Sequence, residues 1–196
     1  MSLANNAGTL PRLIARGVIV LMSVLFATSA TAQTRDHLTD AETDLVRFYQ
    51  ELDKRTEVFI KAADRRFAII NGTAQPSTKK ALKDEPEWGD LPKGTRAELL
   101  GDIAAILDEA ITNIDNVSNR DAKNPLLSRA LRKLSTAANG YLGQLNSLKT
   151  KVTDPDEVAA VERVADNAKE IIEASGHLPA GAPAEDKDKD KKKKKP

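Results

Sequence analysis

The residues that could carry chemistry are few, and most are acids. Asp102 and Glu109 stand seven residues apart, as do Asp108 and Asp115, so on a helix each pair shares one stripe. Paired carboxylates of this kind could hold a hard cation or exchange protons as general acid and base. Both pairs read instead as the solvated side of a helix whose apolar residues lie opposite. The two histidines, His37 and His177, fall outside the helical run and read as solvated end residues, not ligands.

The chain has no cysteine, and both methionines lie before residue 23. A CxxCH haem attachment is therefore absent, and loss of the N-terminal segment would also rule out methionine-ligated haem. No Glu-x-x-His pair suited to a di-iron bundle occurs, nor a phosphate-binding glycine loop, nor a His-Glu-x-x-His zinc helix. With no base near a serine, nucleophilic catalysis has no candidate set. The expectation is a protein without catalytic residues, cofactor or metal.

Contact residues are better represented. The only tryptophan, Trp88, sits in Glu85-Pro86-Glu87-Trp88-Gly89-Asp90-Leu91-Pro92, within a connection long enough to be a binding loop. The plainer reading is that Trp88 and Leu91 cover one end or groove of the domain. Gly140 and Gly143, with Ala137 and Ala138, form a smooth patch beside Tyr141. Close packing against the aromatics Phe48, Tyr49, Phe59 and Phe67 would explain it, and a small-ligand pocket beside Tyr141 is the alternative. Lys61, Arg65 and Arg66 read as a solvated basic face. Lys191, Lys192, Lys193, Lys194 and Lys195 end a charged tail that could touch anionic surfaces weakly.

The elements that must position these residues begin after a leader. Residues 1–32 hold Arg12 and Arg16 and no acid, then an apolar run over 17–27, then Ala30-Thr31-Ala32. This is the pattern of a cleavable signal peptide with Ala30 and Ala32 at the cleavage site and Gln33 as the new N-terminus. The apolar run covers 11 residues, too few for a spanning helix, so no membrane span is expected after cleavage. Without cysteine the product carries no lipid on a cysteine and no disulfide, which suits a bacterial periplasm or exterior.

Cleavage would leave 28 basic against 29 acidic residues. Residues 33–184 alone hold 21 against 25, a mildly acidic field that argues against specific nucleic-acid binding.

Residues 33–176 read as one all-α domain, a four-helix bundle, with helices over about 39–71, 95–119, 125–152 and 155–175. Thr39-Asp40-Ala41-Glu42 and Thr95-Arg96-Ala97-Glu98 are capping boxes, while Asn124-Pro125 and Asp154-Pro155 combine a cap with proline in the first turn. Leu100, Ile103, Leu107, Ala110, Ile114 and Val117 follow a coiled-coil heptad. Short connections predict that the second, third and fourth helices are antiparallel neighbours. The 73–94 connection could reach about 70 Å extended, enough to cross the bundle, so the direction of the first helix stays open. Residues 177–196 read as a disordered charged tail. The expected function is an exported binding bundle for a protein or cell-envelope component, with a periplasmic small-ligand carrier or sensor as alternative.

Overall fold

The computed structural model of the chain describes residues 35–75 and 86–178. The predicted signal peptide with Ala30 and Ala32 and the lysine tail lie outside the described residues.

Among the described residues there are five helices and no strand. They are α1 (Asp40–Phe48), α2 (Leu52–Ile70), α3 (Arg96–Arg120), α4 (Pro125–Lys149) and α5 (Pro155–Gly176). Their starts are chemically specified. Thr39 and Thr95 each accept a hydrogen bond from the third helical N–H, and Glu42 and Glu98 each accept one back from the cap N–H. Asn124 and Asp154 accept from the first turns of α4 and α5, each with proline at the first helical position. Asn71 and Gly72 close α2. Gly72 at φ 70° lets Thr73 N–H donate to Ala68 O at 2.8 Å and Gly72 N–H donate to Ile69 O at 3.0 Å, a Schellman arrangement.

The helix expected over 39–71 is in fact two. Tyr49 and Glu51 take extended backbone angles and interrupt it. Arg55 fixes the break: its Nε donates to Tyr49 O at 3.0 Å and its Nη1 to Asn113 Oδ1 on α3 at 3.1 Å. Leu45 and Leu52 on either side of the break are both buried, but Phe48, expected in the core, swings outward to 43% exposure. Phe48 then meets its neighbour Tyr49 edge to face at 5.0 Å.

Helix directions follow from the bonds between helices. Arg55 reaches Asn113, and Arg66 reaches Asp102, so α2 and α3 run antiparallel. Asp53 meets Lys133, Asp64 meets Tyr141 and Asn71 meets Gln144, so α2 and α4 run parallel. Arg96 meets Glu157, and Asp108 meets Asn167, so α3 and α5 also run parallel. Both α3 and α4 pack along α2 and along α5, whereas α3 and α4 touch each other least. Consecutive helices 3 and 4 are thus not the close neighbours their short connection predicts. Antiparallel α2 and α3 place Ile70 and Arg96 at the same end, which gives the direction that the sequence left open.

The core is apolar and continuous. Phe59, Ala62, Ala63 and Phe67 of α2 meet Leu100, Ile103, Ile106 and Leu107 of α3, and Leu134, Tyr141 and Leu145 of α4 with Val161, Val164 and Ala168 of α5 complete it. No helix among the described residues is long and apolar enough to cross a membrane.

Candidate interaction site: the α1 clasp and the Trp88 loop

α1 is nine residues long, too short to persist in water unaided. Beside its buried Leu45, charge ties it to α2. Glu42, fully buried, lies on the face that also carries Leu38 and Leu45. Its Oε1 accepts from Arg65 Nη1 at 2.7 Å and from Arg66 Nη1 at 3.1 Å, and its Oε2 accepts from Arg66 Nη2 at 2.9 Å. Two guanidiniums of α2 therefore share one carboxylate of α1, the charge-assisted geometry that arginine favours.

Arg66 is 1% exposed and carries more than this pair. Its Nη1 donates to Ala62 O at 2.8 Å, its Nη2 donates to His37 O, and its Nε faces Asp102 Oδ2 of α3 at 3.5 Å. The last separation is an ion pair without a full hydrogen bond. Beside it, His37 Nε2 lies 2.8 Å from Glu109 Oε2. The hydrogen bond and charge of Glu109, with help from Asp36, hold the His37 imidazole above its usual range against burial and the Arg66 charge, which push it down.

Arg65 connects this cluster to the loop. While Nη1 holds Glu42, Nη2 donates to Gly89 O at 3.2 Å and to Asp90 O. Gly89 has φ 58°, and a Cβ placed there would lie 2.8 Å from Ala41 Cβ of α1, so the loop and α1 are in direct contact at a position that tolerates only glycine. Trp88, half-buried, packs partly on the core. The Lys61 ammonium stands 3.9 Å from its ring centroid and the Arg65 guanidinium 5.4 Å away. Glu87 and Asp90 flank it and are exposed.

These contacts correct three expectations. Arg65 and Arg66 are not a solvated basic face, and Lys61 lies against the tryptophan. His37 is not a free end residue, although exposed His177 caps the C-terminus of α5. The Asp102 and Glu109 pair does not line open solvent, since both acids face the clasp. They have separate partners, Arg66 and His37, and so do not form one two-carboxylate centre. Asp108, of the other pair, accepts from Asn167 Nδ2 at 2.7 Å and lies 3.6 Å from Arg163.

Tyr141 lies elsewhere, between α2 and α4. It is 2% exposed, and its ring stacks on Phe67 at 4.9 Å. Its hydroxyl lies 3.1 Å from Ile60 O and 3.0 Å from Asp64 Oδ1. Burial and the Asp64 charge raise the phenol far above its ordinary range. Phe67 therefore stands beside Tyr141, where the alternative reading had a small-ligand pocket. Gly140 and Gly143 are exposed, with nothing within 4 Å of where a Cβ would stand, so they do not receive the aromatics of α2.

A third buried acid, Asp53, faces Lys133 at 3.3 Å and Arg129 at 3.4 Å through Oδ2. Burial pushes its carboxyl up, but these two cations outweigh that and hold it below the usual range. Among the described residues no group of three or more His, Asp or Glu side chains could hold a metal ion.

The sequence reading missed Glu42, Arg66 and Asp102 as buried groups. The signal was present: 38, 42 and 45 share one stripe, and so do 59, 62, 63, 66 and 67. Charges at core-register positions mark buried pairs. Comparison with protein-family models, with curated proteins and with solved structures finds no match to this chain.

Proposed function

We propose that the chain is an exported, non-catalytic four-helix bundle of α2 to α5, clasped by α1, that binds a protein or cell-envelope component through the Trp88 loop. The observation that carries this reading is the fixed tryptophan. Trp88 is kept half-exposed by Lys61 and Arg65, and Arg65 also ties the loop backbone at Gly89 and Asp90. A rigid, partly solvated tryptophan with polar neighbours is the composition of an interface anchor, because little side-chain entropy remains to be lost on binding.

Export and a periplasmic address rest on the charge, apolar run and Ala30-Thr31-Ala32 of the first 32 residues. The lysine tail adds a weak contact with anionic surfaces, of about 1 kcal/mol per lysine close to such a surface. The carrier alternative has less support, since Phe67 and two internal acceptors occupy the surroundings of Tyr141.

Native mass spectrometry of protein purified from the exported fraction tests the reading. A macromolecule bound to wild type and lost from Trp88→Ala is the expected result, and a bound small molecule in place of a macromolecule would overturn it. N-terminal sequencing of the same sample should begin at Gln33. Truncation after Ala184 should weaken retention on heparin and on anionic liposomes.

A further inference from the structure

We infer that α1 and the Trp88 loop open and close as one clasp, and that the bond between His37 and Glu109 sets how readily the clasp opens as pH changes. The inference adds regulation to the binding site proposed above, but it is read on the chain alone, so it stands or falls without a partner.

Three observations make α1 and the loop one unit. Arg65 bonds Glu42 of α1 and two carbonyls of the loop with the same guanidinium. Gly89 touches Ala41 with no room for a side chain. Arg65 also lies over Trp88. Lifting α1 removes the carboxylate that orients Arg65 and withdraws the surface on which Gly89 rests, so the loop loses these two supports together, while Trp88 keeps its contacts with Lys61 and the core.

A hinge is present at the extended residues Tyr49 and Glu51, where the chain already leaves helical geometry. α1 packs on α2 and on no other helix to a comparable extent, which places it among the least stable segments of the fold.

The bond that responds to pH near neutrality is the one from His37. Facing its ring and backbone are Glu109 from α3, Arg66 from α2 and Asp36 from its own segment, and Arg66 is paired in turn with Glu42 and Asp102. The imidazole is favoured in its charged form while closed. A raised folded-state value means that the extra closure is fully present below the unfolded value of about 6.5 and is lost as pH rises through the folded value. Side-chain exposures of 31% for His37 and 35% for Glu109 mean that water screens the pair, so the effect is bounded. An opening constant that grows about three- to tenfold between about pH 5.5 and about pH 8 corresponds to no more than one pKa unit.

Hydrogen exchange followed by mass spectrometry, corrected for intrinsic exchange rates, tests this. In wild type, segments 40–48 and 86–95 should lose protection together by about three- to tenfold over that range, with α5 unchanged. His37→Gln and Glu109→Gln should each abolish the pH dependence and leave protection near the wild-type level at high pH. His177→Gln should behave as wild type. Emission from Trp88, the only tryptophan, should follow the same curve. Protection that does not change with pH in wild type would overturn the inference. So would a pH dependence that survives in both His37→Gln and Glu109→Gln, or loss of protection in α1 without the loop.

Discussion

Glu42 and Glu98 hold the same position in the same motif, yet their replacement should have very different consequences. Each is the third helical residue after a threonine cap and closes the capping box, and each accepts a bond from the cap N–H, at 3.0 Å for Glu42 and 2.7 Å for Glu98. Glu98 is exposed, so Glu98→Gln should cost about 0.3–1 kcal/mol, the scale of a first-turn charge at a helix N-terminus. Glu42 is fully buried and also accepts three bonds from Arg65 and Arg66. Glu42→Gln leaves Arg66 buried, with Asp102 at 3.5 Å as its nearest acidic partner, and removing one partner of a buried pair costs about 3–5 kcal/mol.

The loss has a ceiling, because α1 can undock and return Arg66 to water. Urea unfolding by circular dichroism should therefore be paired with hydrogen exchange over 40–48. The expected result is either a lower urea midpoint by an amount well beyond that of Glu98→Gln, or the same α1 amides exchanging freely. Equal urea midpoints for the two variants, with α1 still protected in Glu42→Gln, would refute the assignment of Glu42 as the anchor of α1.

Other substitutions test other parts of the fold. Gly140→Ala and Gly143→Ala fill open space on an exposed helix and should each stabilise by about 1 kcal/mol in urea unfolding. Gly89→Ala must combine φ 58° with a contact of 2.8 Å to Ala41, and should destabilise and loosen the loop in hydrogen exchange. Tyr141→Phe should cost about 1–2 kcal/mol through its lost bonds to Ile60 O and Asp64. Because the folded phenol is raised, wild type should lose stability above about pH 10, where the unfolded phenol ionises, and Tyr141→Phe should lose less. Asp53, held low by Lys133 and Arg129, contributes stability above its unfolded value of about 3.9. That contribution is lost as pH falls further, so Asp53→Asn should flatten the fall in urea midpoint below about pH 4.

The local elements were legible in the sequence because their signals are local. Thr39, Thr95, Asn124 and Asp154 cap where their side chains and following residues predict, and Asn71-Gly72 stops α2. The break at Tyr49 was not legible, since Phe48 and Leu52 continue a helical spacing. What interrupts it is Arg55 reaching both Tyr49 O and a residue of α3. The pairing of α2 with both α3 and α4 was likewise hidden, because amphipathic stripes report that a face is buried and not what it is buried against. Trp88 was visible as an isolated aromatic in a long loop. Its supports were not, because Arg65 and Lys61 are charged residues whose partners lie on other elements. Tyr141 stood out by composition, and only its partners Phe67, Ile60 and Asp64 show it to be core.

The binding role proposed for the Trp88 loop can be tested in cells. Site-specific photo-crosslinking in exporting cells addresses it directly, with the crosslinker at exposed Glu87, beside an intact Trp88, and a control at exposed Glu162 on α5. The account predicts a discrete adduct from position 87 that Trp88→Ala abolishes and that position 162 does not form. No adduct at 87, or the same adducts from both positions, would contradict it.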